Sequence, residues 1–337
     1  MSKLLTVFGA TGAQGGSVVN YVLQSSELSK IYRLRGITRD VSKPAAVILK
    51  DKGVEIVKVN PLPYFHRVLY EVFLAAARAI AIEFTKLADM DDPASLADAV
   101  AGSYAVFAVT NYWERSSQAV EIAQGKAIAD AAVAADASLL IWSSLPHISK
   151  ISKGKFTGLY HFDSKAEVEI YIRGLPIKSL FYMAGFYMQN FQTMFRPKLG
   201  DDGTPQLNLS WPTHTHLPLI DIADTGKFVA PALFDPVKYD GKRFTGATAY
   251  YESGPLVDAL SKDAGKEVKY VQGGPGADNI PPEIAKVLEE LKGFMEDLEY
   301  FGPTGREDLE WTLAQLKDKP TTWESFVEAE GPWFGSK

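Results

Sequence analysis

Gly9, Gly12 and Gly15 stand three residues apart in Gly9-Ala10-Thr11-Gly12-Ala13-Gln14-Gly15, directly after the apolar run Leu4–Phe8 and directly before a helical pattern. That spacing suits a diphosphate. The chain must turn sharply, backbone N–H groups must come close to the anion, and the helix N-terminus adds partial positive charge. A glycine triplet alone also fits a plain turn, but between a buried strand and a helix it reads as a dinucleotide loop. Just past the next strand pattern lie Arg39, Asp40 and Lys43. An acid at this place accepts hydrogen bonds from ribose hydroxyls and selects NAD, whereas an arginine favours the 2′-phosphate of NADP. Arg39 with Lys43 therefore favours NADP; Asp40 keeps NAD open, and a solvated charged turn is the bland alternative. A third set could move protons. His161 and Lys165 are four residues apart, about 400° on a helix and so on one face. Ser143 and Ser144 close a preceding strand pattern.

These residues need a scaffold, and the N-terminal half supplies a recognisable one. The apolar run Leu4–Phe8 reads as a strand buried on both faces, and further strands are read at Tyr32–Thr38, Val54–Val57, Ala105–Val109 and Leu139–Trp142. Between them lie helical patterns through Val18–Leu23, Pro44–Leu49, a segment opening at Asp92-Pro93, and an alanine-rich stretch from about Ser117 to Ala135. Strands alternating with helices imply right-handed βαβ units and an α/β, doubly wound parallel sheet. After about residue 185 the pattern turns irregular, with weak alternation through Asp221–Phe234 and Arg243–Ala247 and helices near Pro282–Tyr300, Glu307–Leu316 and Thr322–Glu330. We expect a nucleotide-binding portion over 1–185 and a smaller α/β portion over 186–337, with some exchange of chain between them.

Composition narrows the classes. The 337 residues are 46% hydrophobic and 23% charged, a globular balance. A formal charge of −6 with no basic block argues against direct nucleic-acid binding. Cysteine is absent, which removes thiolate chemistry and Cys-ligated zinc. His214 and His216 would share one strand face, but no third ligand accompanies them, so no metal is expected. The N-terminal Met-Ser-Lys leads straight into a strand pattern, which leaves no room for a secretory signal. A cytoplasmic or nuclear protein, monomeric or homodimeric and without membrane contact, is the expectation.

The run VFGATGAQGGSV, the Asn111-Tyr112-Trp113 triplet and Tyr160–Val168 together resemble the NmrA-like family of atypical short-chain dehydrogenases. So do Gly185–Asn190 and Asp221–Gly226. The GxxGxxG spacing belongs to the same relatives. The resemblance implies a Rossmann fold with NADP or NAD on Gly9, Ala10, Thr11, Gly12, Ala13, Gln14 and Gly15. It places Arg39 and Lys43 at the 2′-phosphate and Asp89 and Met90 near the adenine. Thr110, Asn111, Tyr112 and Lys165 would line the ribose and nicotinamide side, with Gly185, Phe186, Tyr187 and Met188 closing over it. Active short-chain dehydrogenases use Tyr-x-x-x-Lys, and here the tyrosine position is His161. Tyr160 is rotated about 140° from Lys165 and does not replace it.

Two functions follow from that resemblance. An intact cofactor loop beside a degraded Tyr-x-x-x-Lys pair suggests an NADP redox sensor acting on a protein partner, such as a transcription regulator. The alternative is an NADP-dependent oxidoreductase of a small carbonyl or aromatic substrate, with Lys165 as acid/base and His161 beside it. Against these, Lys165 could simply hold ribose hydroxyls, and His161 could cap or pack. The aromatic set Tyr112, Trp113, Phe186, Tyr187 and Met188 reads equally as core or as a lid. One segment resists the pattern. Between the third strand and Asp89 lie about thirty residues where a short loop is usual. Residues 59–87 are read as an insertion, either a native surface helix or translated non-coding sequence, with the second preferred.

Overall fold

A computed structural model describes residues 2–59, 87–88, 93–273 and 282–334. The first half alternates as the patterning requires: β1 Lys3–Phe8, α1 Ala13–Gln24, β2 Tyr32–Thr38, α2 Pro44–Asp51, β3 Glu55–Val59, β4 Leu87–Ala88, α3 Pro93–Val100, β5 Ala105–Ala108, α4 Gln118–Ala134, β6 Leu139–Ser144, α5 Tyr160–Ile172 and β7 Lys178–Ala184. These strands, with Lys242–Gly246 (β12) from the second half, form one sheet in the order β12-β7-β6-β5-β1-β2-β3-β4, every pair parallel. Its central strands β1, β5 and β6 are mostly apolar on both faces, and alternate residues feed two separate cores. Val7, Phe107 and Ile141 pack with Val18 and Val22 of α1. Their neighbours Phe8, Val106 and Trp142 pack with Leu96 of α3, Ile128 of α4 and Val168 of α5. Helices thus cover both faces, as in a doubly wound sheet.

Leu87-Ala88 run parallel to β3, pairing with Lys58 and Val59. They add an edge strand beside β3. The remainder of the suspected insertion lies outside the described residues.

The second half contains β8 Phe186–Tyr187, β9 Lys198–Leu199, β10 Pro205–Leu209, β11 Leu217–Ile220, α6 Thr225–Phe234, β12 Lys242–Gly246, β13 Ala249–Tyr251, α7 Ser253–Ala264, β14 Lys269–Gln272, α8 Pro282–Leu298, α9 Gly305–Leu313 and α10 Trp323–Glu330. Two three-stranded sheets, β14-β10-β9 and β13-β11-β8, surround an aromatic core of Phe186, Phe191, Phe195, Trp211 and Trp323. Asp221–Phe234, expected to alternate weakly, is instead a short 3₁₀ turn followed by helix α6. Almost every residue of α6 is buried, including Phe228, Val229, Ala230, Ala232 and Leu233, so no amphipathic stripe marks it in the sequence. Strand β12 returns to the main sheet and covers the outer edge of β7.

Candidate functional site

The strand order reverses between β1 and β5. In open α/β sheets the crevice at the carboxyl ends of such strands is where ligands bind. The glycine loop follows β1 and Thr110–Tyr112 follows β5, so both border this crevice. Gly9 has φ of +66°, a conformation that side chains disfavour, and the Gly12 N–H donates to the Gly9 carbonyl at 2.8 Å. At Gly15 a Cβ would sit 2.3 Å from the Gly9 oxygen, so only glycine lets α1 approach β1 this closely. Gly12 caps α1 with no side-chain hydrogen bond, and no acid lies in the first turn. The helix end is left to an anion.

A cleft of about 380 Å³ lies over this loop. Gly9, Thr11, Gly12, Ala13, Gln14 and Gly15 form one wall, Thr38, Arg39 and Lys43 a second, and Thr110, Asn111, Glu114 and Tyr187 a third. Ala10 faces elsewhere. It is buried, its N–H donates to the Ile37 carbonyl, and its methyl lies against Gly36. Arg39 Nη1 pairs with Glu114 Oε2 at 2.5 Å. Asp40 is occupied by its own turn, accepting from Ser42 N–H at 2.9 Å and Ser42 Oγ at 2.6 Å. Those bonds hold its carboxyl below the usual carboxylate range. Asp89 and Met90 lie outside the described residues.

A second cleft, about 510 Å³, adjoins the first through the shared residues Gln14, Val109, Thr110, Asn111 and Tyr187. Gln14 Nε2 donates to Tyr187 Oη at 2.8 Å across the junction. The second cleft is mainly apolar and aromatic. Tyr112, Trp113, Phe162, Gly185 and Phe186 meet Val287, Leu288 and Leu291 of α8, with Ser143, His161 and Lys165 among them. Met188, expected over the nicotinamide side, lies in neither wall; it is fully buried in the aromatic core.

Lys165 extends from α5 toward the end of β5. Its Nζ donates to Glu121 Oε1 at 2.5 Å, Thr110 Oγ1 at 3.0 Å and the Thr110 carbonyl at 3.1 Å. An ammonium has three hydrogens, and all three are used. Burial pushes the Lys165 pKa down, while Glu121 pulls it back up. Glu121, from α4, is itself buried and also accepts from Thr110 Oγ1 at 2.7 Å and from Ser164 Oγ. Sequence reasoning missed it. The available signal was a single acid in the first turn of an alanine-rich helix. His161 shares the Lys165 face as expected and makes tilted and edge-on ring contacts with Tyr112, Trp113 and Phe162, with ring centroids 4.8–5.8 Å away. Burial lowers its pKa to about 4, with nearby Lys165 adding to the effect, so it is neutral at pH 7. Its Nδ1 is buried without a hydrogen-bond partner. Ser143 and Ser144 both line this cleft, and Ser144 Oγ is committed to Glu169 Oε2 at 2.6 Å.

His147, His214 and His216 do not join this site. His214 and His216 lie in the loop between β10 and β11, not on a strand, and His216 pairs with Glu252 at 3.0 Å. His147 bridges Asp163 and Glu167, anchoring the turn before α5.

Comparison with known proteins agrees with this architecture. An NmrA-like family domain-containing oxidoreductase, cpsB of Aspergillus campestris, is 29% identical over 289 residues, spanning 80% of this chain and 75% of its own. A Dictyostelium discoideum NmrA-like family domain-containing protein is 26% identical over 280 residues, 80% of each chain. Among solved structures, the negative transcriptional regulator NmrA in complex with NAD superposes with a TM-score of 0.75 at 22% identity, covering 98% of this chain and 99% of that one. Citrobacter triphenylmethane reductase complexed with NADP(H) gives 0.69 at 16%, again over 98% and 99%. The sequence profile of the NmrA-like family matches residues 1–327, and the chain therefore belongs to the NmrA-like family.

Proposed function

We propose that this protein is an NAD(P)(H)-dependent oxidoreductase acting on a small, uncharged aromatic or carbonyl substrate. The observation that carries this reading is the pair of adjoining clefts, one glycine-lined and one aromatic, separated only by Gln14, Val109, Thr110, Asn111 and Tyr187. The first fits a dinucleotide. A Cβ at Gly15 would fill the cradle, the α1 N-terminus is open to phosphate, and Arg39 and Lys43 stand at the far end. A nicotinamide bound there supplies a hydride equivalent to a substrate in the second cleft. The chain's own residues do the rest. Tyr112, Trp113 and Phe186 offer ring faces and exclude water, Ser143 offers a hydroxyl, and Lys165 holds a proton at Nζ. Lowering of the Lys165 pKa by burial makes its ammonium a better acid, with Glu121 acting in the opposite direction. Oxidoreductases among the curated relatives support the same reading.

The test is NADPH oxidation over a panel of quinones and aromatic carbonyls, with Lys165→Ala as control. Loss of general-acid catalysis should lower kcat by about 100-fold or more. Turnover unaffected by Lys165→Ala would remove Lys165 from the chemistry.

A second reading has its own support. With histidine at the tyrosine position and every Lys165 hydrogen engaged, the same clefts suit a redox sensor that reports NADP(H) to a protein partner, in the cytoplasm or nucleus. Cofactor binding without turnover of any panel member favours it.

A further inference from the structure

Spacing marks Asp40 as the acid that would receive ribose hydroxyls, but its carboxylate is tied to Ser42 N–H and Oγ and does not line the cleft. A different carboxylate does. Glu114 comes from the 3₁₀ turn Tyr112–Glu114 after β5, lines the same cleft as Thr38, Arg39 and Lys43, and sits 2.5 Å from Arg39 Nη1. From the glycine-loop reading and this contact, we infer that Glu114 sets the choice between NAD and NADP by occupying the guanidinium that a 2′-phosphate needs. The inference rests on the proposal that this cleft takes a dinucleotide.

The physics is a competition at one donor. Arg39 is half-exposed and Glu114 only about a quarter, so Glu114 is the more fixed partner. A 2′-phosphate carries negative charge into a wall that already holds a carboxylate. It must share Arg39 or take it from Glu114, and it meets like-charge repulsion in either case. A cofactor with free ribose hydroxyls meets neither cost, and those hydroxyls can donate to a carboxylate. The acid that tempers NADP selection thus arrives from the β5 side of the crevice, where the usual sequence position after β2 does not reveal it. Lys43 supplies the remaining positive charge for a phosphate and is unaffected by Glu114 neutralisation.

Titration of the full chain with NADH and NADPH, followed by the fluorescence of the reduced nicotinamide, tests this without requiring turnover. Glu114→Gln should tighten NADPH by about fivefold while leaving NADH within about twofold, and Glu114→Ser, too short to reach Arg39, should shift the ratio in the same direction. The gain should shrink at high salt, because the competing charges are partly exposed. In an Arg39→Ala background the effect of Glu114→Gln should fall by more than half, since the donor in dispute is gone. An NADPH-to-NADH affinity ratio unchanged in both Glu114 variants, with both cofactors still bound, overturns the role of Glu114 and leaves the cleft assignment standing. Failure of the wild-type chain to bind either cofactor overturns the cleft assignment and this inference together.

Discussion

At the level of single residues, the site contains two buried groups whose charge states matter. His161 is neutral at pH 7 because burial and Lys165 disfavour its protonated form, lowering its pKa to about 4 from an ordinary value of 6.5. Between these two pH values the unfolded chain binds a proton that the folded one does not, so stability is full above pH 6.5 and falls as the pH drops toward 4. At pH 5 the loss due to His161 should be about 2 kcal/mol. Urea unfolding at pH 7 and pH 5 should show a correspondingly smaller acid penalty in His161→Phe, which preserves the ring contacts; an identical pH dependence in the two proteins would contradict the assignment. The sequence made His161 and Lys165 visible through their spacing of four, and the glycine loop through its place between strand and helix. It did not reveal Glu121 or Glu114. Glu121 reaches Lys165 across 44 positions and Glu114 reaches Arg39 across 75, and no local period encodes such a partnership. The family resemblance puts Ala10 and Met188 at the cofactor, and in the structure both side chains are buried and line neither cleft.

Among elements, the contact between α4 and α5 fixes the Glu121–Lys165 pair. It depends on Gly125, where a Cβ would lie 2.6 Å from Val168 Cγ2 and 2.9 Å from the Trp142 ring. Gly125 is one turn beyond Glu121, so a larger residue would push apart the helices that carry the two charges. Gly125→Val should destabilise the fold by roughly 1–3 kcal/mol through overpacking, read as a lower Tm, and weaken the pair as well. A Tm within a degree of the wild type would mean that the two helices have room to spare. The strands and helices of the first half were legible because strands buried on both faces give continuous apolar runs. Helix α6 was not, since burial on all sides removes its period and Pro231 interrupts its propensity. The late helices α8, α9 and α10 fall within a few residues of their sequence-based positions.

For the molecule as a whole, the open matter is residues 59–87. The seven strands from β12 to β3, save Val59 at the end of β3, and both clefts are built from residues on either side of that segment. Deleting it should therefore leave a folded protein that binds NADP at least as well, and thermal melts of both forms with and without cofactor check this; a deletion variant that fails to fold while the full chain melts cooperatively would show the segment to be native structure. The late arrival of β12 has a different consequence. Strand β7 ends at Ala184, but the strand that covers its outer edge is Lys242–Gly246, about sixty residues later. At synthesis rates of roughly 5–20 residues per second, the edge of β7 stays unpaired on the ribosome for about 3–12 seconds, with every other strand of the large sheet already made. An open, apolar strand edge recruits other strands. Nascent chains stalled after β7 has emerged but before β12 has left the ribosome should therefore be the species that chaperones capture, and those stalled far enough beyond residue 246 for β12 to be free should escape them.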